Sequence, residues 1–305
     1  MPRETILLKG GLLETTTNHQ LGREDAILNY IERTETHTTG EKSGLFDTSN
    51  TMNRSSMNIK QLRFSVENHE VTTHIPQKTM ADFISYDDSK KFFASILYNE
   101  MLIGTEKRLF KKYSEIAWNN YQNGKSKWQK FILSLLKLEK YTYVGNSSLA
   151  LQSRIYLLSN KIFQSTNWGP GDFVILPSKL LMLLEENPNL EYIDSSSGRI
   201  LDLPKSRFVK KGRIGHISIY HDTYAEHGSC DIIVGRTGRD KHEPGVHFCE
   251  YSNEYQSIED PISFGCKLRM ISKNALVNVG DLSGMYLADK ISTKVKPWWM
   301  KLLKI

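Results

Sequence analysis

Apolar residues recur along the chain in two periods, and one long stretch has almost none. Over Asp87–Ala117, Phe92, Ile96, Ile103, Phe110 and Tyr113 return at intervals of three, four and seven, with Phe93, Leu97 and Met101 widening the stripe. That period belongs to a helix with one buried face. Asp87, Asp88 and Ser89 suit its start as caps and as negative charge at the positive end of the dipole. At 1.5 Å per residue the predicted rod is roughly 45 Å long. A second helix is predicted over Ser147–Thr166, burying Leu149, Ile155, Leu158 and Ile162, and a short one around Trp128–Lys137 in the Lys-, Trp- and Tyr-rich segment between them. Gly169-Pro170-Gly171 then breaks the pattern. Phe173–Leu176 reads as a short buried strand, and Ser178 as the cap of a helix over Lys179–Glu186 that Asn187-Pro188 stops.

Period-two alternation marks the strands. Ile59, Leu62, Phe64, Val66 and Val71 carry it in part, and the second half of the chain repeats it in Ile214–Tyr220, Asp231–Val234, Gly245–Glu250 and Phe264–Leu276. In the last of these Phe264, Cys266, Leu268 and Met270 alternate with Gly265, Lys267, Arg269 and Ile271, predicting a half-buried strand with a basic outer face. Thr34–Ser56, "TETHTTGEKSGLFDTSNTMNRSS", has little to bury. A structureless loop of roughly twenty residues is uncommon inside a compact domain. Strand-like flanks favour an arm that pairs with a neighbouring subunit; a disordered linker is the other reading.

Composition narrows the class. With 39% hydrophobic and 10% aromatic residues in 305, the chain has enough apolar surface for a core. The formal charge of +6 and pI near 9.0 come from basic residues spread along the chain, which fits general attraction to polyanions better than sequence readout. Three cysteines, Cys230, Cys249 and Cys266, are an odd number and point to a reducing compartment. The longest apolar run, Phe131–Leu138, is interrupted by Ser134 and Lys137 and falls short of the ~20 residues that span a bilayer. The N-terminal "MPRETILLKGGLLETTT" lacks the core of a signal peptide, and "VKPWWMKLLKI" at the other end reads as a docked basic-aromatic tail. A soluble protein with no membrane partner is expected.

Candidate chemistry concentrates near "DIIVGRTGRDKHEPGVHFCEY", Asp231–Tyr251. A metal site would draw on His216, His221, His227, Cys230, His242, His247 and Cys249, yet neither Cys-x-x-Cys nor His-Glu-x-x-His occurs, and His247 with Cys249 on one strand face is too small a set. "VGRTGRDK" leads into a strand rather than a helix, so Gly235 and Gly238 read as turn glycines and not as a phosphate cradle. No Gly-x-Ser-x-Gly elbow is present and no cysteine has an activating context. The expectation is a protein without catalytic residues, metal or cofactor; a metal- or phosphate-binding enzyme is the alternative from another class.

The order of the parts is more specific than any of them. Thr79–Tyr86, the Ile96–Ile103 stretch, Val174–Glu185, "DIIVGRTG....PGVHFCEY" and Asp260–Asn278 follow one another in a way that resembles the major capsid proteins of T-even-type tailed bacteriophages. The likeness covers Ile59–Glu115 and Ser147–Gly280; it departs in lacking an inserted surface domain, in Glu250-Tyr251 where Pro-Tyr is usual, and in the terminal "KPWWMKLLKI". The resemblance implies an α+β fold of the HK-ninety-seven type. Its parts would be an N-terminal arm (1–33), an extended hairpin loop (34–75), a peripheral domain (76–140) with a spine helix (87–117), an axial domain (141–230), strands completing both domains (231–285) and the tail (286–305). The function implied is that of a head-shell subunit assembling with itself into hexamers and pentamers around packaged double-stranded DNA, held non-specifically. Its vertex paralogue, which forms pentamers, is the alternative. Scaffold, portal, vertex or decoration proteins are implied partners, and the virion is the implied location, with assembly in the host cytoplasm. Leu12-Leu13-Glu14 matches the family's maturation signal, placing a cut between Glu14 and Thr15. Lys42, Phe46, Arg54, Arg236 and Arg239 are the expected intersubunit contacts.

Overall fold

The structure is a computed structural model that describes residues 4–5, 8–33, 57–76, 78–79, 86–123, 141–166, 168–192, 206–226, 229–238, 240–260 and 265–294. In chain order the strands begin with β1 (Glu4–Thr5), β2 (Thr17–Gln20), β3 (Asp25–Arg33), β4 (Met57–Ser65) and β5 (Glu67–Ile75). Helix α1 (Tyr86–Asn123), β6 (Thr142–Tyr143), α2 (Ser148–Thr166), β7 (Phe173–Pro177), α3 (Ser178–Glu185) and β8 (Leu190–Tyr192) follow. The chain then runs through β9 (Phe208–Ile214), β10 (Ile217–Asp222), β11 (Asp231–Gly235), β12 (Gly245–Asp260), β13 (Gly265–Val279) and β14 (Tyr286–Ser292).

Two sheets share the long helix. One is ordered β1-β12-β13-β5, with β2 also paired to β12; the other is ordered β6-β14-β11-β7-β10-β9-β8. In the second, β7 lies between β10 and β11 with every side chain buried. Phe173 and Ile175 face the cluster containing α1, whereas Val174 and Leu176 face α2 and α3 through Leu151, Ile155, Leu158, Leu180 and Leu184. A strand covered on both faces reads as an unbroken apolar run, which is why "FVILP" shows no alternation.

The 38 residues of α1 make a rod of roughly 57 Å. Its buried row is Leu97, Met101, Thr105, Leu109, Tyr113 and Ala117, one every fourth residue. A step of four turns about 40° past a full circle, so this row winds around the helix. The winding follows the neighbours. Arg108 Nη2 donates to Asn274 Oδ1 on β13 at 3.0 Å, while further along Tyr113 stacks on Tyr286 of β14 at 4.7 Å and Asn120 Nδ2 donates to the Tyr286 carbonyl at 3.0 Å. The helix passes from one sheet to the other and its covered side rotates with it. The expected straight stripe is therefore wrong at its start: Phe92 is 50% exposed and Ile96 is exposed too.

Other expectations are corrected in detail. Leu149 faces outward and Leu151 takes its place in the core. Ile214–Tyr220 is not one strand: β9 and β10 form a hairpin whose turn glycine, Gly215, has φ +57°. Ser178 does not cap α3; the N-cap position is Pro177, without a side-chain cap, and Ser178 Oγ is 2.9 Å from His221 Nε2. β12 runs to Asp260, ten residues beyond the expected end at Glu250, and β13 to Val279. The Trp128–Lys137 helix, the Thr34–Ser56 loop, Phe264 and the terminal tail from Val295 lie outside the described residues.

Candidate assembly surface

The flanks of the polar loop form a hairpin. β3 and β4 pair antiparallel from Asp25↔Ser65 to Arg33↔Met57, so the hairpin takes its first strand from the segment expected to be an N-terminal arm. Its inner face sets Leu28, Tyr30, Leu62 and Phe64 against Cys249, Ala275, Val277 and Val279. His242 fixes the hairpin with its carbonyl, which accepts the Ile31 N–H at 2.9 Å, and with Nδ1, 2.9 Å from the Asn29 carbonyl. Lys273 Nζ adds an ion pair to Glu24 at 2.5 Å. Directly opposite residues share a face, so the outer face carries Ile31 beside Ile59 and Ile27 beside Arg63. Ile59 is 74% exposed and Ile27 42%.

Residues 8–20 are woven into the body through buried polar groups. Glu106, in the middle of α1, has no exposed surface; it accepts the Leu12 N–H and the Arg207 N–H at 2.8 Å and the Ser206 hydroxyl at 2.5 Å. Burial raises its pKa and these hydrogen bonds oppose the rise. Gly11 makes the approach possible, because its φ is +54° and a Cβ there would stand 1.8 Å from Glu106 Oε1. Leu12 and Leu13 are buried beside it. Gly11–Thr15 form a 3₁₀ turn, and the expected cut between Glu14 and Thr15 falls in it. Thr15 is buried, its Oγ1 donates to the Leu12 carbonyl at 2.7 Å and its own carbonyl accepts from Tyr113 Oη at 3.0 Å. Glu14 Oε2 meets Lys210 Nζ at 3.4 Å and Tyr220 Oη at 3.3 Å. Thr15, on the far side of the Glu14–Thr15 bond, is thus held into the body on both its side chain and its carbonyl.

The described residues of Asp231–Tyr251 are tied into the body of the subunit by hydrogen bonds and burial. Arg236 is 2% exposed and its Nη2 donates to Glu243 at 2.7 Å. That burial corrects its expected place among intersubunit contacts, since the side chain is spent inside the subunit. Arg239, Lys42, Phe46 and Arg54 lie outside the described residues. Thr17 Oγ1 donates to the Gly238 carbonyl at 2.8 Å, and Thr237 N–H to Asp172 at 2.8 Å. His247 Nε2 is 2.9 Å from the Glu243 carbonyl, which only accepts, so that nitrogen carries the proton and Nδ1 accepts from His19 Nε2 at 2.7 Å. The rings stack at 4.9 Å. Burial, then the neighbouring His19, hold His247 down at about 4; burial, then Lys241 and His242, lower His19. Cys249 is buried and its thiol pushed up to about 12, far from the thiolate a nucleophile needs. Glu250 is buried with its carboxyl raised to about 7 by burial, against the Leu8 N–H and the Lys9 charge. The histidines disperse: His216 lies 3.3 Å from Ser159, His221 beside Ser178 and His242 on the hairpin. Among the described residues no three His, Cys, Asp or Glu side chains gather to hold a metal. Sequence reasoning missed Glu106 and His19; an acid in a row of buried spacing was the available signal for the first, and none marked the second.

Residues 8–293 match the sequence model of the major capsid protein Gp23 family. No curated protein matches the chain. Among solved structures it is similar to the capsid of cyanophage P-SCSP1u, with a TM-score of 0.50 and 7% identity over 95% of this chain and 90% of that one. It is also similar to the virus-like particle from Pyrococcus furiosus (TM-score 0.49, 8% identity, 92% of each chain) and to the mature capsid of bacteriophage PhiM1 (0.45, 12%, 95% and 89%). At such identities the likeness is one of fold, the α+β fold of the HK-ninety-seven type. The match that spans all but the ends places the chain in the Gp23 major capsid protein family, as a structural subunit that associates with itself in the shell of a phage head.

Proposed function

We propose that the chain forms hexamers, with pentamers at the vertices, in which the β3–β4 hairpin and its Thr34–Ser56 tip lie over a neighbouring subunit. The observation behind this reading is the hairpin's outer face: the pair Ile31 and Ile59, and Ile27 beyond Asn29 and Gln61, stand on a two-stranded ribbon with Arg63 beside Ile27, and Ile59 and Ile27 are exposed. An isolated ribbon of two strands is marginal in water, and apolar side chains on its outer face are better accommodated against a partner. Lys42, Phe46 and Arg54 would extend that contact along the tip. The α1 helix serves as spine of a peripheral domain, and the sheet carrying α2 and α3 as the axial domain. The modest positive charge suits an inner surface against packaged DNA through its phosphates. Scaffold, portal and decoration proteins complete the particle, which assembles in the host cytoplasm.

Electron microscopy of the purified protein, alone and with its scaffold, tests the reading. Tubes, sheets or shells are expected from the parent chain, and Ile59→Glu should abolish them while leaving a folded monomer. Particles of normal yield from Ile59→Glu would refute the hairpin's role.

A further inference from the structure

The α2 helix has a second apolar face. Its inner side, Leu151, Ile155, Leu158 and Ile162, fills the core beneath it. On the opposite side Leu149 is 55% exposed, Leu157 53% and Phe163 50%, within an arc of about 120° and over about 21 Å of axis. Ser153, Asn160 and Gln164 are the polar residues between them, and Lys161 at the margin is the one charged residue among the exposed positions of this helix. The helix contains no acid at all. An internal comparison shows how unusual that is: the exposed side of α1 carries Lys91, Glu100, Lys107, Lys111 and Glu115, as a solvated face does.

Depletion of charge around large apolar side chains marks the centre of a protein–protein contact. Nucleic acid would need cations where only Lys161 stands, so a phosphate backbone does not fit. Half of a phenylalanine leaves roughly 100 Å² bare, and the three side chains together a few hundred. A stable pairwise interface buries about 800 Å² per partner. The patch is therefore too small to hold a dimer in solution, yet sufficient for a contact that many copies repeat. We infer that the outer face of α2 docks against a second copy of this chain inside the assembled shell, with Leu157 and Phe163 at its centre. This inference rests on the shell-subunit reading and names a second surface, on a different sheet from the hairpin, that the reading does not supply.

The test uses Leu157→Gln and Phe163→Gln in the full chain. Both residues are half-exposed, so each variant should melt within a few degrees of the parent and show the same circular dichroism. The critical concentration for assembly, read by sedimentation and electron microscopy, should rise at least tenfold in each. Unchanged assembly in both variants overturns the contact while leaving the shell reading intact, as does normal assembly with loss of a second protein from the particle. A steep fall in melting temperature in both variants also overturns it, because the side chains would then serve the subunit's own packing. A parent chain that forms no particle under any condition sinks the shell reading and the contact together.

Discussion

Replacing Glu250 by glutamine should stabilise the subunit, and by an amount that depends on pH in a defined way. The carboxyl is buried where β2 runs beside β12, with Gln20 as the register partner of Glu250 and Asn253 Nδ2 donating to Oε1 at 2.5 Å. Its pKa is pushed up to about 7 from an ordinary 4.5, burial being the main cause. Between those values the unfolded chain has given up a proton that the folded chain still holds. The stability this group contributes is therefore complete below pH 4.5 and is lost as pH rises through 7. At 1.36 kcal/mol per pKa unit the loss reaches about 3 kcal/mol by pH 8. Glutamine keeps the carbonyl oxygen that accepts from Asn253 and the Leu8 N–H, and it never ionises. Urea unfolding of the unassembled parent and variant, at pH 4.5, 6, 7 and 8, reads the difference directly. The two chains should be nearly equal at pH 4.5, and the variant ahead by about 3 kcal/mol at pH 8. Histidine effects are common to both and cancel. A difference that does not change with pH, or a parent that is the more stable chain at pH 8, would refute the account of Glu250 as a carboxyl held in a poor solvent.

The histidine pair supplies the opposite trend. In the Glu250→Gln background, stability should fall as pH drops from 6.5 towards 4, by up to about 3 kcal/mol for His247, because the unfolded histidine takes up a proton that the folded one refuses; urea midpoints that stay flat over this window would count against the assigned tautomers. Glu106→Ala leaves the Leu12 and Arg207 N–H groups without their acceptor, at about 1–3 kcal/mol each, which calorimetry should register as a clear fall in melting temperature. Asp222→Ala strands Arg207, whose Nε and Nη2 donate to the two carboxylate oxygens at 2.8 and 2.7 Å, and should cost about 3–5 kcal/mol. A glutamate-specific protease should leave the Glu14–Thr15 bond intact in the native protein and cut it in urea, with mass spectrometry of the N-terminal peptide as the readout.

Legibility of the sequence varied with how local the determining physics was. β7 and α3 were readable because a short apolar run between Gly171 and Asn187 allows little else, and α2 because Ile155, Leu158 and Ile162 keep a helical period up to the Gly169-Pro170-Gly171 break. The spine helix was readable in kind and wrong in face: Phe92 and Ile96 keep the period, but the side that is covered depends on which sheet the helix is crossing, and the sequence pattern does not carry that. The β9–β10 hairpin was missed because Gly215-His216 looks like an interruption of one strand rather than a reversal. Glu250 was visible as a departure from the family's Pro-Tyr, whereas its burial was not, since that depends on Leu8 and Gln20 arriving from more than two hundred residues away. The same separation hid His19, whose partner is 228 positions on.

These distant polar groups have one thing in common: Glu106, the His19–His247 pair and Glu250 each join residues 8–20 to the body. Burial raises the carboxyls and lowers the imidazoles, so the charged form of each is worse off here than in water and adds nothing to holding the segment down. The holding force is apolar. Leu8, Leu12 and Leu13 are buried, at about 1.5–3 kcal/mol for each such side chain. What the polar groups add is position, since leucines tolerate a shifted register and a Glu106 that must meet the Leu12 N–H does not. A one-residue slip of the segment would leave that carboxylate, the Thr17–Gly238 bond and the histidine pair unsatisfied together, at a cost greater than that of any single mismatch. Residues 8–20 are therefore positioned by the subunit itself, and cleavage after Glu14 would require the turn to unfold first.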